Sequence, residues 1–493
     1  MAEFSVVNCL LSFCLRITRF SLAPNLPMMT RVFFAALIAS LSMGCGPSTV
    51  SSSHNLRLPP DWKNAGGFPV ASPTRDLSRW WARFDDPLLS KLIAAGLQES
   101  PDIASASARV KESQARRNSA AASLFPSLTG SASRNSNSTE RENQNRNTNT
   151  SYTAGLNASW EADLFGRNRS SVEAASAQVG ASEENFHSVQ AALASEIAIA
   201  YTNLRVDEAS LEVLGRTIES REETNQLATW RTQAGEADSL ESSQALSSLE
   251  QARATIPSLE QSAAQSRNLL ALLVGKNPGG VDGLLSSGKK SIPKPARSLA
   301  VGIPADALRQ RPDVRVAGYQ LLAAAASTRA AEAARYPSLN LTGSLGLDSL
   351  SSGKLFNPQT ATAGFVAGIS SPIFDAGRIR SNIEAQSAVE EQAFQTYRST
   401  VLTALSEVED SLIACRRTAE RLEILEKATS AAREADELAR LRYQAGETDL
   451  LTVLDSQRSL LGLEDSLLNV RAARTIAYIQ LYKALGGGWS ARA

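Results

Sequence analysis

The 493-residue sequence has few of the residues on which enzymes and metal sites depend. Its two histidines, His54 and His187, stand far apart and outside any cluster with the spacing of metal ligands. No set of polar residues has the pattern of a catalytic site, so we predict neither a metal site nor an enzyme. Lysine plus arginine and aspartate plus glutamate both number 50, and the net charge of zero gives no sign of a nucleic-acid partner.

Cysteine is scarce as well, with four residues in the whole chain. Cys9 and Cys14 lie ahead of an export signal and Cys45 follows it, which leaves only Cys415 in the rest of the sequence. A disulfide framework is therefore excluded. We interpret Cys415 as a small, buried or half-buried helix residue and not as a nucleophile.

The apolar run at 32–41 is too short to cross a bilayer as a permanent helix. It follows the basic Arg31 and precedes small residues and Cys45, a pattern typical of a bacterial lipoprotein signal. We therefore predict a signal peptide over residues 29–44 and a covalent lipid on Cys45, with no other cofactor.

Two features of this region need separate interpretations. Ser42 occupies the position three before the cysteine, where lipoprotein signals commonly have an aliphatic residue, so cleavage nearby by ordinary signal peptidase is the alternative. Residues 1–28 do not resemble the start of a signal, and we interpret them as a wrongly assigned start, with Met28 or Met29 as the true first residue. Residues 45–79 then form an extended N-terminal segment that carries the lipid.

The sequence contains a long internal duplication. The stretch LATWRTQAGEAD, beginning at Leu227, returns as LARLRYQAGETD, beginning at Leu438, which is 211 positions later. The same offset relates Pro101 to Pro312, Phe125 to Tyr336, Gly166 to Gly377, Ser195 to Ser406 and Gly275 to Gly486. Two long copies predict two halves of one symmetric structure and not a solenoid. We place the first copy at 80–285, a linker at 286–303 and the second copy at 304–493.

Each copy contains segments in which apolar and polar residues alternate, which is the period of a β-strand. The alternation is strict from 152 to 164, and similar segments occur at 339–347 and 361–373. With a weaker segment before the first, these predict one β-hairpin in each copy, at about 125–165 and 336–374. We expect the polar run RNSNSTERENQNRNTNTS inside the first hairpin to be an exposed, mobile loop.

Long strands with one apolar and one polar face are typical of outer-membrane proteins, in which the apolar face contacts lipid and the polar face lines a lumen. The alternative is a soluble β-sandwich. In lipid no strand edge can stay unpaired, and a closed barrel needs about eight strands. Because this chain supplies four, we predict that several chains close one barrel together.

The rest of each copy is predicted to be helical. Proline is absent and glycine almost absent from 167 to about 231 and from 378 to 442, so each run would form a helix of about 100 Å. Helices from about 237 to 274 and from 450 to 485 return along them, with a kink expected at Pro257. An isolated coiled coil is the alternative, but these helices continue directly into the membrane strands.

The duplicated QAGE stretch is predicted to be the turn between each long helix and its return. Gly235 and Gly446 supply the positive φ that ends a helix. A nearby acidic residue, Glu236 or Asp238 in the first copy, then caps the returning helix. These turns lie at the helix ends far from the strands, so we expect them at the periplasmic rim of the assembly, facing the inner membrane.

Six motifs, taken in order, resemble the TolC-like outer-membrane efflux proteins, and within them the OprM- and NodT-type lipoprotein branch. They are WWARFDDPLLSKLI at 80–93, DLFGR, RPDV, AARYPSL, SPIFDAGR and RYQAGETDLLTVLDSQRSLL. The resemblance covers essentially the whole mature chain. It implies a mixed α and β membrane protein: a homotrimer whose twelve-stranded outer-membrane β-barrel, four strands per chain, continues into a long periplasmic α-helical coiled-coil barrel.

The resemblance also implies the function. It indicates a passive export duct of a tripartite efflux system, which docks a periplasmic adaptor protein and an inner-membrane pump expected to be of the RND type. The duct of a type I protein secretion system and a non-conducting periplasmic coiled-coil scaffold are the alternatives.

Site residues follow from the same resemblance. The acidic residue that narrows the closed rim in the family corresponds to Asp455, and the family's tyrosine before the turn corresponds to Tyr443. With Asp238 of the first turn they make up the predicted periplasmic gate. The predicted adaptor-docking tip comprises four turn residues, Gly235, Glu236, Gly446 and Glu447.

Overall fold

A computed structural model describes residues 59–66, 77–139, 147–286, 291–295 and 304–489. Residues 1–28, the predicted signal peptide and Cys45 lie outside the described residues, as does most of the predicted linker. The interpretations of those segments therefore stay predictions.

In the first copy, a 3₁₀ turn at Trp80–Phe84 and two helices lead into a β-hairpin, which is followed by a very long helix and its return. The elements are α1 (Pro87–Glu99), α2 (Pro101–Ala122), β1 (Ser127–Thr139), β2 (Asn147–Ala162), α3 (Arg167–Gln233), α4 (Ser239–Arg253), α5 (Ile256–Val274) and the short α6 (Asp282–Leu285). Asp86 caps α1 by accepting from the backbone N–H groups of Leu88 and Leu89.

The second copy repeats this order. Its elements are α7 (Pro304–Gln310), α8 (Pro312–Ala333), β3 (Ser338–Ser349), β4 (Ala361–Ser370), α9 (Arg378–Gln444) and α10 (Leu450–Ala484). Helices α3 and α9 each contain 67 residues, which corresponds to about 100 Å of helix. Within the described parts of the chain, no helix is both long enough and apolar enough to cross a bilayer.

The four strands form one antiparallel sheet in the order β1-β2-β3-β4. Leu156 of β2 pairs with Gly130 of β1 and with Leu345 of β3, and Leu345 pairs in turn with Ala363 of β4. Since side chains alternate across a strand, residues paired in this way share one face of the sheet.

One face of this sheet is apolar across all four strands, as the alternation in the sequence predicts. It carries Leu128, Ala132, Ala154, Leu156, Ala158, Trp160, Leu339, Leu341, Leu345, Leu347, Phe365 and Ile369. Phe365 and Ile369 are 74% and 76% exposed in the single chain, so the described residues leave this part of the face uncovered. The other face carries mainly serine, threonine, asparagine and glycine, together with Glu161 and Asp348.

The prediction of a mobile loop over residues 134–151 is wrong for most of this segment. β1 continues to Thr139 and β2 begins at Asn147, with the register unbroken up to that pair. Hydroxyl groups of Ser136 and Thr150 are joined across the strands at 3.2 Å. Both faces of this stretch are polar, so the alternation that identifies a half-buried strand is missing from its sequence.

The return is continuous in the second copy and broken in the first. α10 runs for 35 residues, whereas α4 ends at Arg253 and α5 begins at Ile256, beside Pro257. The proline has no N–H with which to continue the hydrogen-bond ladder, and its ring conflicts with the preceding turn. The kink predicted at Pro257 is therefore confirmed.

The hydrophobic core lies where the short helices pack against the middle of the two long ones. Trp80 and Tyr482 stack there with ring centroids 5.5 Å apart. Gly275 and Gly486, equivalent in the duplication, both have positive φ and lie close to the backbone that precedes α2 and α8. A Cβ at Gly275 would lie 2.4 Å from the carbonyl oxygen of Glu99, so glycine is required for this approach.

Arg311 fixes the base of the second helical hairpin. Its buried guanidinium donates to the carbonyl oxygen of Ala484 at 2.9 Å, and to Asp313 and Glu407 at 2.6 Å each. The end of α10, the start of α8 and the middle of α9 are therefore joined through one side chain.

Cys415 lies buried in α9. Burial raises the pKa of its thiol to about 12, so the group is a thiol and not a reactive thiolate at neutral pH. The interpretation of Cys415 as a buried helix residue is confirmed.

Candidate functional site at the helical turns

The two turns between a long helix and its return have the same backbone geometry. Gly235 and Gly446 have φ of 77° and 75°, in the left-handed region that favours glycine. The N–H of the next residue, Glu236 or Glu447, donates to the carbonyl oxygen five residues earlier, at 2.9 and 2.8 Å. This is the Schellman closure of a helix, and the predicted positive φ is confirmed.

Aspartate caps the returning helix in both copies. The Asp238 carboxylate accepts from the N–H of Leu240 at 3.4 Å, and Asp449 accepts from the N–H of Thr452 at 3.0 Å. Hydrogen bonds from the side chain and backbone of Thr452 hold the pKa of the Asp449 carboxyl below its ordinary value. Glu236 is not the cap, and its carboxylate stays exposed at the turn.

Tyr443 joins the second helical hairpin to the first. Its ring is buried, its hydroxyl donates to Glu241 of α4 at 3.1 Å, and the Arg231 guanidinium of α3 lies 4.9 Å from the ring centroid. Burial and, after it, the Glu241 carboxylate raise the pKa of the phenol, which therefore remains a proton donor. Sequence reasoning singled out Tyr443 but neither of these partners.

Two further links tie the hairpins together beside Tyr443. Arg440 of α9 forms an ion pair with Glu223 of α3. The buried amide of Gln457, on α10, donates to the hydroxyl groups of Ser220 and Thr224 on α3, at 3.2 and 3.1 Å. Sequence reasoning missed Gln457. The duplication does mark this residue, because the equivalent position of the first copy is the apolar Leu246, and a polar residue replaces it in the second copy.

A cleft of about 380 Å³ lies between the hairpins at this level. It is lined by Glu223, Thr224, Trp230, Arg440, Tyr443 and Val453, among other residues. Trp230 is largely exposed, so the cleft opens to solvent beside an aromatic side chain. A small movement of one hairpin against the other would change this cleft and the links around it.

Asp455 lies on α10 with an exposed side chain. Its carboxylate accepts from Arg458 at 3.1 Å, with 70% of the aspartate and 77% of the arginine side chain exposed. An exposed pair of this kind contributes about 0–1 kcal/mol, so it holds the carboxylate only weakly. The three predicted gate residues thus differ, because Tyr443 is buried whereas Asp238 and Asp455 are exposed.

Acidic and thiol side chains do not converge into a metal site in the part of the chain that the structure describes. No group of three or more histidine, cysteine, aspartate or glutamate residues there could hold a metal ion. The chemistry of the turns is therefore that of exposed carboxylates, buried links between helices and backbone shape.

Comparison with known sequences gives a consistent result. The family model described as outer membrane efflux protein matches residues 92–276 and 303–487, two segments whose starts and ends are both 211 positions apart. The pyoverdine export outer membrane protein OpmQ of Pseudomonas aeruginosa is 32% identical over 461 residues, which cover 92% of this chain and 96% of the relative. The solvent efflux pump outer membrane protein SrpC of Pseudomonas putida is 34% identical over 413 residues, covering 83% and 87%.

Solved structures have the same architecture. The outer-membrane channel OprN superposes with a TM-score of 0.83 at 28% identity, and the match covers 90% of this chain and 99% of that one. The open state of the MtrE outer membrane channel of Neisseria gonorrhoeae superposes with a TM-score of 0.81 at 30% identity, again covering 90% and 99%.

Proposed function

The chain belongs to the outer membrane efflux protein family, and on that premise we propose how its parts divide the work of export. It is an outer-membrane channel component of an efflux system, one subunit of a trimeric channel of the TolC type with a periplasmic helical extension. Channels of this class work with adaptor and inner-membrane pump components. The observation that carries the proposal is the direct continuation of a one-sided apolar sheet into two 67-residue helices.

Transport through the channel is passive. The polar face of the sheet lines the exit through the membrane, and the long helices extend that path across the periplasm. Energy is supplied by the pump. An inner-membrane pump of the RND type fits the OprM-type resemblance, and mass spectrometry of a crosslinked complex tests it, since capture of an ATP-driven pump in its place would contradict this assignment.

The adaptor docks on the helical turns. Each chain presents two turns of closely similar backbone shape, around Gly235 and Gly446, and three chains present six. The exposed carboxylates of Glu236 and Glu447 lie beside these glycines and give an adaptor the same contact at every turn.

The gate lies just behind the turns. Tyr443 holds the two hairpins of a chain together, and its hydrogen bond to Glu241 has to break or slide for the hairpins to separate. Asp455 supplies the charge that narrows the bore. Asp238 caps α4 and so sets the position of the first turn relative to that bore.

A lipid on Cys45 anchors the N-terminal segment. The signal that precedes this cysteine in the sequence supports the assignment. Mass spectrometry of the mature N-terminus tests it, and an unmodified N-terminus at another residue would contradict it.

Replacement of Gly446 with valine tests the docking turn. A Cβ at Gly446 meets nothing within 4 Å, so the substitution acts through the backbone alone. A left-handed conformation costs an L-residue about 1–2 kcal/mol, and more when it is β-branched, so the turn should distort. We expect Gly446→Val to abolish efflux and adaptor crosslinking while the trimer still assembles.

Gly462 offers a matched control on α10. A Cβ there also meets nothing within 4 Å, but Gly462 lies in regular helix without a positive φ. Gly462→Val should therefore retain efflux. If Gly446→Val transports at the wild-type rate, the turn is not the docking surface, and if both variants fail alike, the shape of the turn is not what matters.

A further inference from the structure

β1 and β2 continue past the rest of the sheet as a two-stranded extension. Pairing between β2 and β3 stops at Tyr152, whereas β1 and β2 stay paired up to Thr139 and Asn147. The sequence contains no apolar residue from 135 to 151. A two-stranded hairpin by itself is only marginally stable in water, so contact with a second surface would stabilise this extension.

The extension begins at the outer boundary of the lipid. Helices join the sheet at Ser127 and Ala162, so the opposite ends of β1 and β2 lie on the external side. Ten residues separate Ala162 from Tyr152, which is about 34 Å along the strand and about 25 Å along the membrane normal after the usual tilt. This matches the apolar band of an outer-membrane barrel. Trp160 and Tyr152 lie near its two ends, where aromatic residues are usual.

Arg134 lies at this boundary and faces the lipid. It pairs with Tyr152, and paired residues share a face, so Arg134 is on the same side as Leu156 and Leu345. Its guanidinium carbon is 5.7 Å from the centroid of the Tyr152 ring. Within the described part of the chain, the exposed Arg134 makes no ion pair. A cation thus lies on the lipid-facing side at the depth where headgroups begin.

Hydroxyl groups follow Arg134 on the outward side. The hydroxyl oxygens of Ser136 and Thr150 lie 3.2 Å apart, and those of Ser138 and Thr148 lie 3.4 Å apart. The opposite side, which continues the lumen face, carries amides, at Asn135, Asn137 and Asn149. The outward side therefore has its own chemistry, a guanidinium and an aromatic ring followed by a ladder of hydroxyl groups.

We propose that this outward surface, formed by Arg134, Tyr152, Ser136 and Thr150, docks the phosphorylated glycolipid of the outer leaflet, lipopolysaccharide. Charge complementarity favours it, because a guanidinium binds phosphate oxygens in a fork geometry. The tyrosine ring packs at the boundary between acyl chains and headgroups. The hydroxyl ladder bonds to the saccharide, and the surface is continuous with the lipid-facing side of the barrel.

The second hairpin has no such extension. Its connection between β3 and β4 carries the exposed Leu350 and Phe356, which suit the boundary of the lipid. Each chain therefore contributes one docking surface, and the trimer has three.

Binding of lipopolysaccharide to the purified trimer tests the proposal. The trimer is placed in nanodiscs of phosphatidylethanolamine and titrated with fluorescent lipopolysaccharide that carries both lipid A phosphates. We expect removal of these phosphates, or Arg134→Gln, to weaken binding about tenfold, since a charge-assisted bond is lost. Arg134→Lys keeps the charge but loses the fork geometry and the stacking on Tyr152, so its affinity should lie between those of the wild type and Arg134→Gln.

Arg417→Gln is the matched control. Arg417 is an arginine with a 65% exposed side chain on α9, outside the sheet, and its substitution should leave binding unchanged. Equal affinity of wild type, Arg134→Gln and Arg417→Gln would overturn the proposal, as would equal binding of the dephosphorylated glycolipid. Displacement of the glycolipid by inorganic phosphate at the same concentration would also overturn it, because the site would then be a simple anion site.

Discussion

Asp436 is a carboxylic acid buried between α9 and α10. It is 7% exposed, and it accepts a hydrogen bond from Ser456 at 3.0 Å. Burial raises the pKa of this carboxyl above its ordinary value; Glu464 adds to the effect, whereas Ser456 and Arg440 oppose it. As pH rises from the ordinary value through the raised one, the folded protein keeps a proton that the unfolded chain has lost, so the free energy of unfolding decreases.

We therefore expect Asp436→Asn to raise the thermal midpoint of the helical region by a few degrees at pH 7.5 and to change it little at pH 3, where the acid is neutral in both states. The amide oxygen still accepts from Ser456. Circular dichroism at 222 nm measures the midpoint. Asp410→Asn is the control, because Asp410 also accepts from a serine, Ser406, at 3.2 Å but is exposed. A lower midpoint at pH 7.5, or an equal rise in the control, would contradict the prediction.

Single residues could be predicted from the sequence where the local backbone decides their role. Gly235 and Gly446 have the positive φ that a helix-ending turn requires, whatever surrounds them. The buried links could not be predicted, because their partners are remote in sequence. Gln457 bonds to a side chain 237 residues away, and Tyr443 to one 202 residues away, and no local pattern identifies such a partner.

The returning helices allow a test in which each copy is the control for the other. Pro257 breaks the first return, and Leu468, its equivalent, is buried in the unbroken α10. Pro257→Leu should restore an N–H that donates to the carbonyl of Arg253, and hydrogen exchange should show new protection at 254–260. Leu468→Pro should cost about 3 kcal/mol or more, since it removes a helical bond and a buried side chain. Unchanged protection in the first variant, or unchanged stability in the second, would contradict this account.

Ion pairs show how each long helix is matched to its own return. Glu222 of α3 pairs with Arg253 of α4 at 2.6 Å, and Arg433 of α9 pairs with Glu464 of α10 at 2.5 Å. The two pairs occupy equivalent positions in the duplication with the charges exchanged. Pairing of α3 with α10 in the same register would bring Glu222 and Glu464 together, so like charges disfavour the wrong hairpin.

Among the strands, the parts with one apolar face could be predicted from the sequence, and the outer parts of β1 and β2 could not. Alternation identifies a strand with one apolar face, and the sheet occurs where the alternation is regular. The outer parts of β1 and β2 pair equally well but have two polar faces, so only the backbone reveals them. The two long helices could be predicted over their whole length, because the absence of proline over more than sixty residues leaves few other structures.

The assembly of several chains into one barrel follows from the unclosed sheet of the single chain. Four strands leave two edges unpaired, and in lipid an unpaired edge costs several kcal/mol for each polar group, so the barrel closes only between chains. Every feature of one chain is consequently repeated around a three-fold axis. A single charge near the rim becomes a ring of three.

In the proposed gate, Asp455 is the charge for which this repetition matters most. It lies nine residues past Gly446, about 14 Å along α10 from the turn. Three carboxylates around a narrow opening repel one another and favour cations over anions in transit. We expect Asp455→Ala to increase single-channel conductance, and to reduce cation selectivity and block by multivalent cations about twofold or more, in planar bilayers.

Asp455 forms an exposed ion pair with Arg458, so the control variant should remove a carboxylate from a similar exposed pair elsewhere. Glu423, on α9, also has an exposed side chain with a cation close by in its helix, Lys427 at 2.9 Å. Loss of a carboxylate from such a pair should by itself leave conduction unchanged, so Glu423→Ala should behave as the wild type. If Asp455→Ala does the same, Asp455 does not line the constriction, and the narrowest point has to be formed by Tyr443 or by Asp238. If both variants alter selectivity equally, conduction responds to the overall charge of the helices and not to a ring at the rim.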